Sequence, residues 1–154
     1  MTDDEMTPVT TPALVSIDTQ ATTKDEVIRE LAERLVAEGR VTDIDSYLAD
    51  VAKREEVMAT GIQGGIGIPH ARSECVTAPS VAVATSTAGI PFGAPDGPAH
   101  LIFLIAAPTG ADDSHLQILA AIARRVMRDE FRDALRTATD PAFIADTMTK
   151  EVQQ

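Results

Sequence analysis

The run Ala99–Ala107, AHLIFLIAA, holds a single polar side chain, His100. A strand with one wet face alternates apolar and polar residues. This run does not alternate, so it reads as a strand covered on both faces. Such a strand needs helices above and below it, and the sequence supplies them. Thr23-Lys24-Asp25-Glu26 fits a capping box, Val27, Ile28, Leu31, Leu35 and Val36 follow at helical spacing, and Gly39 is a fitting terminator. A second helix starts near Thr42–Asp45, carries Ile44, Tyr47, Leu48 and Val51 on one face, and ends before Gly61. Asp112-Asp113-Ser114 is cap chemistry for a helix with Leu116, Leu119, Ile122, Val126 and Met127. Phe131–Ala138 continues that helix or forms its own. Asp140-Pro141 opens a last helix over Phe143, Ile144 and Met148. Ala13–Ile17 and Ser80–Thr87 read as further strands. Strands alternating with helices around one continuously apolar strand predict an α/β fold, a three-layer α/β/α sandwich with a mixed, mostly parallel sheet flanked by helices. The domain is expected over residues 13–150. Residues 1–12 are polar, acidic and proline-punctuated, and are expected to be a disordered leader. Residues 151–154 are expected to be a tail or the start of a linker.

Composition narrows the partners. Aromatic residues make up 3% of the chain and Trp is absent, which disfavours stacking platforms for bases or sugars. The formal net charge of −11 argues against nucleic acid and anionic membrane surfaces, and is compatible with a basic protein partner. No apolar run reaches the length of a membrane span, and no signal-peptide pattern opens the chain. The single Cys75 cannot close an internal disulfide, which suits a reducing cytoplasm. Cys75 itself reads as a small apolar residue.

The chemistry is expected around Thr60–Arg72, TGIQGGIGIPHAR. Its glycines ask for conformations or close approaches that a side chain would block. Pro69 restricts Ile68 to extended geometry and sets His70 beside the glycine segment. The segment lacks the Gly-Lys-Ser/Thr ending of a Walker loop and the glycine spacing of a dinucleotide fingerprint. It is either an anion-presenting loop or a tight connection. His70 is either a surface histidine or a nucleophile, general base or metal ligand. Two residues favour function. His115 falls in the first turn of a predicted helix just beyond the apolar strand, where α/β folds bind ligands. Arg54 closes the helix before the glycine segment. A helix N-terminus and an arginine both suit phosphate oxygens. A metal pair is disfavoured, because no ligand spacing such as His-x-x-x-His appears. His100 reads as a strand-end histidine, packed or hydrogen-bonded locally. Arg124, Arg125, Arg128, Arg132 and Arg136 alternate with acids and read as a solvated, ion-paired helix face.

Arg54-Glu55-Glu56, Thr60-Gly61-Ile62 and Gly65-Ile66-Gly67-Ile68-Pro69-His70 resemble the signature of the fructose/mannitol class of EIIA domains of the bacterial sugar phosphotransferase system. Leu101–Pro108 and His115–Leu119 resemble that family's central strand and following helix. Ala71-Arg72-Ser73-Glu74 and the Gly93–Pro98 turn look most like its fructose-specific members. The resemblance implies a cytoplasmic phosphoryl relay. His70 would be the phosphorylated nucleophile, taking the group from phospho-HPr and passing it to a cysteine of an EIIB domain, and through it serving the membrane EIIC component. His115 and Arg54 would hold the phosphoryl oxygens. No cofactor and no metal are implied. The nitrogen-type regulatory homologues of the same fold, which act by phosphorylation-dependent protein binding, are the alternative. Gln63, Gly64 and Gly67 depart from the common pattern, which touches loop detail and leaves the His, Pro and Arg in place.

Overall fold

A computed structural model describes residues 8–57, 61–62, 64–94, 96–109 and 114–152, with the side chains of residues 114–116 and 119 outside that description. Among the described residues six strands form one sheet: β1 (Val15–Ser16), β2 (Gly61–Ile62), β3 (Ile66–Gly67), β4 (His70–Ser73), β5 (Ser80–Ile90) and β6 (Ala99–Pro108). The helices are α1 (Lys24–Ala37), α2 (Ile44–Val57), α3 (Ser114–Arg125), α4 (Asp129–Arg136) and α5 (Pro141–Val152). The path across the sheet is β1-β5-β6-β3-β2, with β4 also on β6. β1 on β5, β3 on β6 and β4 on β6 are parallel, and β5 on β6 and β2 on β3 are antiparallel. The sheet is therefore mixed and mostly parallel, as expected.

Alternation along β6 builds the two helical layers. Leu101, Phe103 and Ile105 pack with Ile118, Ile122, Phe131, Leu135, Ile144 and Met148 of α3, α4 and α5. Ile102, Leu104 and Ala106 pack with Val27, Leu31, Leu35, Tyr47 and Val51 of α1 and α2. The α1/α2 face of β5 is lined by Ala82 and Ala84, so the helices there approach a surface of small side chains. The capping box is present: Thr23 Oγ1 accepts from Glu26 N at 3.1 Å, and the Glu26 carboxylate accepts from Thr23 N at 3.3 Å. The Thr22 N–H, which donates to the Glu26 carboxylate at 2.8 Å, holds that carboxyl below its usual range, helped by the Thr22 hydroxyl at 3.1 Å and the Thr23 N–H.

The chain order begins earlier than expected. Of the anticipated leader, residues 8–12 are described, and Val9 and Thr10 are buried. Val9 O accepts from Val81 N at 2.7 Å, and Thr10 Oγ1 donates to Val81 O at 3.0 Å. One buried apolar side chain, one backbone bond and one side-chain bond seat this segment against β5. Residues 1–7 and 153–154 lie outside the described residues, as do Asp112 and Asp113, named above as cap residues. The helix expected over Phe131–Ala138 is separate from α3, broken from it at 126–128, and runs over Asp129–Arg136.

Candidate functional site

The glycine segment is part of the sheet, which corrects its reading as a loop. β2 and β3 form a hairpin whose turn contains Gly64 and Gly65, with φ of 95° and 76°, a region that favours glycine. Gly64 N donates to Asp96 Oδ2 at 3.0 Å, which ties the turn to the β5–β6 connection. β3 and β4 then run beside β6 in one register: Ile66 opposes Leu101, Gly67 opposes Ile102, and His70 opposes Ile105. Ile68 and Pro69 fill the gap without a slip, and Pro69 O accepts from Ile105 N at 3.0 Å. The rigid step at Pro69 thus delivers His70 onto a strand already locked to the central one. Gly61 and Gly67 serve close approach. A Cβ at Gly61 would fall 2.5 Å from Phe92 O, and one at Gly67 would fall 2.9 Å from the Phe92 ring.

α2 packs across β4 and brings two groups to it. Tyr47, fully buried, donates its hydroxyl to Ile105 O at 3.0 Å, on the residue opposite His70. Burial pushes the Tyr47 phenol well above its ordinary pKa, and the charges of Cys75 and Asp50 push it the same way. Arg54, in the last turn of α2, suits the partial negative charge of a helix C-terminus. The turn that carries it is anchored by its neighbour Glu55, whose buried carboxylate meets Lys24 Nζ of α1 at 3.1 Å.

Two hydrogen bonds define the His70 ring. Nδ1 lies 2.8 Å from Ile68 O, and Nε2 lies 3.2 Å from Arg54 Nε. A carbonyl oxygen only accepts and a guanidinium only donates. Both bonds are satisfied together by the neutral tautomer with its proton on Nδ1. Nε2 then carries a lone pair, and Arg54 is the cation beside it. His70 is half-buried, and Arg54, which meets its Nε2, is exposed. A neutral imidazole nitrogen with a guanidinium at hand is a nucleophile equipped to take an anionic electrophile. Arg72 lies two residues on along the same strand face, with an exposed guanidinium.

The structure brings His70 and Arg54 together. It places His115 at the second position of α3, beyond the end of β6 as expected. The ring of His115 belongs to the side chains outside the description. His100 stands apart, at the opposite end of β6, with Nδ1 2.8 Å from Ser86 O, the local hydrogen bonding expected of it. Cys75 is packed against the edge of the α1/α2 core, with Sγ 3.1 Å from Ser73 Oγ and 3.4 Å from Asp43 O. Among the described residues, no group of three or more His, Cys, Asp or Glu is placed to hold a metal ion. No helix among them is long and apolar enough to cross a membrane. Of the cationic helix face, Arg125 pairs with Glu151 at 2.8 Å, Arg132 with Asp129, and Arg136 with Asp133 at 3.8 Å. Tyr47, Glu55 and the Ile68 carbonyl went unnoticed in the sequence as parts of the site. Only the length of α2, which sets Tyr47 and Arg54 two turns apart, could have hinted at Tyr47.

Comparison with known proteins places the chain among relatives. Residues 8–151 match the family described as "Phosphoenolpyruvate-dependent sugar phosphotransferase system, EIIA 2". The chain is 37% identical over 150 residues to the PTS system fructose-specific EIIA component of Haloferax volcanii, covering 97% of each chain. It spans 23% and 21% of two longer EIIABC relatives. The structure of nitrogen regulatory protein IIA-Ntr from Neisseria meningitidis superposes with a TM-score of 0.83 at 25% identity, covering 92% of this chain and 97% of that one. The IIA mannitol enzyme of Escherichia coli, solved in complex with phosphorylated IIB mannitol enzyme, shares the fold with a TM-score of 0.76 at 22% identity, covering 90% and 95%.

Proposed function

This chain belongs to the EIIA type 2 family of the phosphoenolpyruvate-dependent sugar phosphotransferase system, and from that premise we propose that it is a fructose-type phosphoryl relay with His70 as the carrier. Phospho-HPr donates and a cysteine of an EIIB domain accepts, in the cytoplasm, on behalf of the membrane EIIC component. The observation that carries the reading is the pair of bonds on the His70 ring, Nδ1–H to Ile68 O and Arg54 Nε–H to Nε2.

The steps follow from that pair. The Nε2 lone pair attacks the phosphorus of phospho-HPr, and the P–N bond of the donor histidine breaks, returning its electron pair to that nitrogen. No base is needed, because Nε2 carries no proton to remove, and phosphoryl transfer asks mainly for positioning and charge stabilisation. Phosphorylation draws electron density from the ring, so Nδ1–H becomes a stronger donor and its bond to Ile68 O strengthens. Arg54 turns its donors from Nε2 to the phosphoryl oxygens as the donor docks, which frees the lone pair for that attack, and His115, at a helix N-terminus, supplies another donor. In the second step a thiolate of EIIB attacks the phosphorus, the new P–N bond breaks, and the pair returns to Nε2. The net charge of −11 suits a basic donor protein.

The fructose assignment rests on the Haloferax volcanii relative. The regulatory reading rests on the likeness to the IIA-Ntr structure. Deleting the gene and following fructose uptake separates them: loss of uptake supports the transport relay, and unchanged uptake supports phosphorylation-dependent protein binding. His115→Ala is expected to leave His70 phosphorylatable and to slow transfer onward to EIIB. Unchanged kinetics in both half-reactions would remove His115 from the site.

A further inference from the structure

We propose that a second site, specific for phosphate, lies at the end of the sheet opposite His70. The cavity is lined by Thr85, Ser86, Thr87, His100, Arg136 and Thr137 and holds about 200 Å³, room for a phosphate or a small phosphate monoester. His100 is five residues before Ile105, the register partner of His70, so the two sites are separated by roughly 17 Å along β6.

Three irregularities converge on the His100 ring. The pairing of β5 with β6 shifts register between Thr85 and Ile90. That shift leaves Ser86 O to accept from His100 Nδ1 at 2.8 Å. Gly89 and Gly65 both have positive φ, 92° and 76°, and both back the ring. A Cβ at Gly89 would fall 3.0 Å from His100 Cε1, and one at Gly65 would fall 3.4 Å from Cδ2. The ring therefore lies against two stretches of bare backbone, and its bond to Ser86 O puts the proton on Nδ1 and an acceptor lone pair on Nε2.

The walls supply donors. Thr85 is buried, 5% exposed, and its Oγ1 already accepts from Asp18 N at 2.7 Å. Its own proton is given to no acceptor among the described residues, so a buried hydroxyl has a donor to offer. Arg136 ends α4 half-exposed, and its contact with Asp133 Oδ1 is a loose 3.8 Å. Most of its donors remain free for a second anion. Asp18 is the other carboxylate nearby, with Oδ1 accepting from Thr87 N at 3.3 Å. Neither acid lines the cavity. A guanidinium and a buried hydroxyl suit anionic oxygens. The Nε2 acceptor suits a P–OH. Hydrogen phosphate carries both in one tetrahedral ion, whereas sulfate carries no proton to give.

The test is a titration of the full chain carrying His70→Ala, which removes the carrier histidine, followed by nitrogen shifts of the His100 ring and the Gly65 and Gly89 amides. Inorganic phosphate is expected to give saturable shifts at all three. Arg136→Gln, on an exposed side chain, is expected to weaken that binding by about tenfold or more while the amide spectrum elsewhere is unchanged. Sulfate is expected to bind more weakly than phosphate. A hexose monophosphate, whose dianion like sulfate has no P–OH to give at neutral pH, is expected to bind more weakly than inorganic phosphate; that order identifies the free ion as the ligand and supports the site, and monoester binding as tight as that of phosphate would overturn it. Absence of saturable shifts at His100, equal binding of sulfate, or equal phosphate binding by the Arg136→Gln chain would each overturn it.

Discussion

Tyr47 is the only tyrosine of the chain, which makes its hydroxyl unusually easy to isolate. It is fully buried and donates to Ile105 O at 3.0 Å. Tyr47→Phe keeps the ring and removes that bond, at a cost of about 1 kcal/mol. For a domain of this size the melting temperature should fall by about 2–4 °C. Burial also raises the phenol's pKa in the folded state. In the unfolded chain the phenol ionises near pH 10, while in the folded chain it keeps its proton. Above that pH the unfolded state binds fewer protons than the folded one, so the Tyr47 contribution is present below about pH 10 and is lost above it, at up to about 1.4 kcal/mol per pH unit. The phenylalanine variant has nothing to lose there. Lysine and cysteine titrations are common to both chains and cancel in the difference. The two stabilities should converge as pH rises, meet near pH 10.6 (about 0.6 units above the unfolded phenol) and reverse by about pH 11. Urea unfolding of both proteins from pH 8 to about pH 11 reads this directly. A stability difference constant across that range would refute the reasoning, because it would mean that the hydroxyl ionises as readily in the folded protein as in the unfolded one.

Other expectations follow from single contacts. Arg54→Gln removes the guanidinium at Nε2 while leaving the Ile68 bond in place. Phosphoryl transfer to His70 should slow by about 10²–10³-fold in rapid-quench kinetics, with folding unchanged. Gly67→Ala sets a Cβ 2.9 Å from the buried Phe92 ring and should cost about 1–3 kcal/mol in urea unfolding. Combining it with Phe92→Leu should cost less than the sum of the two single changes. Thr23→Ala removes the cap bond to Glu26 N and should cost about 1 kcal/mol, read as a lower urea midpoint without a change in slope.

What was legible in the sequence depended on side-chain pattern. β6 announced itself because both its faces are buried, and that one run implied both helical layers. The α1 cap was readable because its chemistry is local. The strands around His70 were not readable, for a physical reason. Glycine has no side chain, so the alternation that marks a strand is erased across Gly61–Gly67, and four glycines in that span look like a loop. Only Gly64 and Gly65 have positive φ; Gly61 and Gly67 are glycines because Phe92 and its backbone lie against them. Val9 and Thr10 were hidden by polar neighbours, since their burial comes from contacts with Val81, far along the chain. Arg54 and His70 were each visible as candidates. Their contact required α2 to end beside β4, and that is a property of packing. Tyr47 and Glu55 act through partners distant in sequence, so neither carried a local mark.

Phosphorylation of His70 is the central proposal for this chain. The direct measurement is the intact mass of the chain after incubation with phosphoenolpyruvate, Enzyme I and HPr, on the wild type and on His70→Ala. The prediction is one added phosphoryl group, labile to acid and stable to alkali, on the wild type alone. No gain on the wild type, with the carriers shown to be active, or an equal gain on His70→Ala would contradict it.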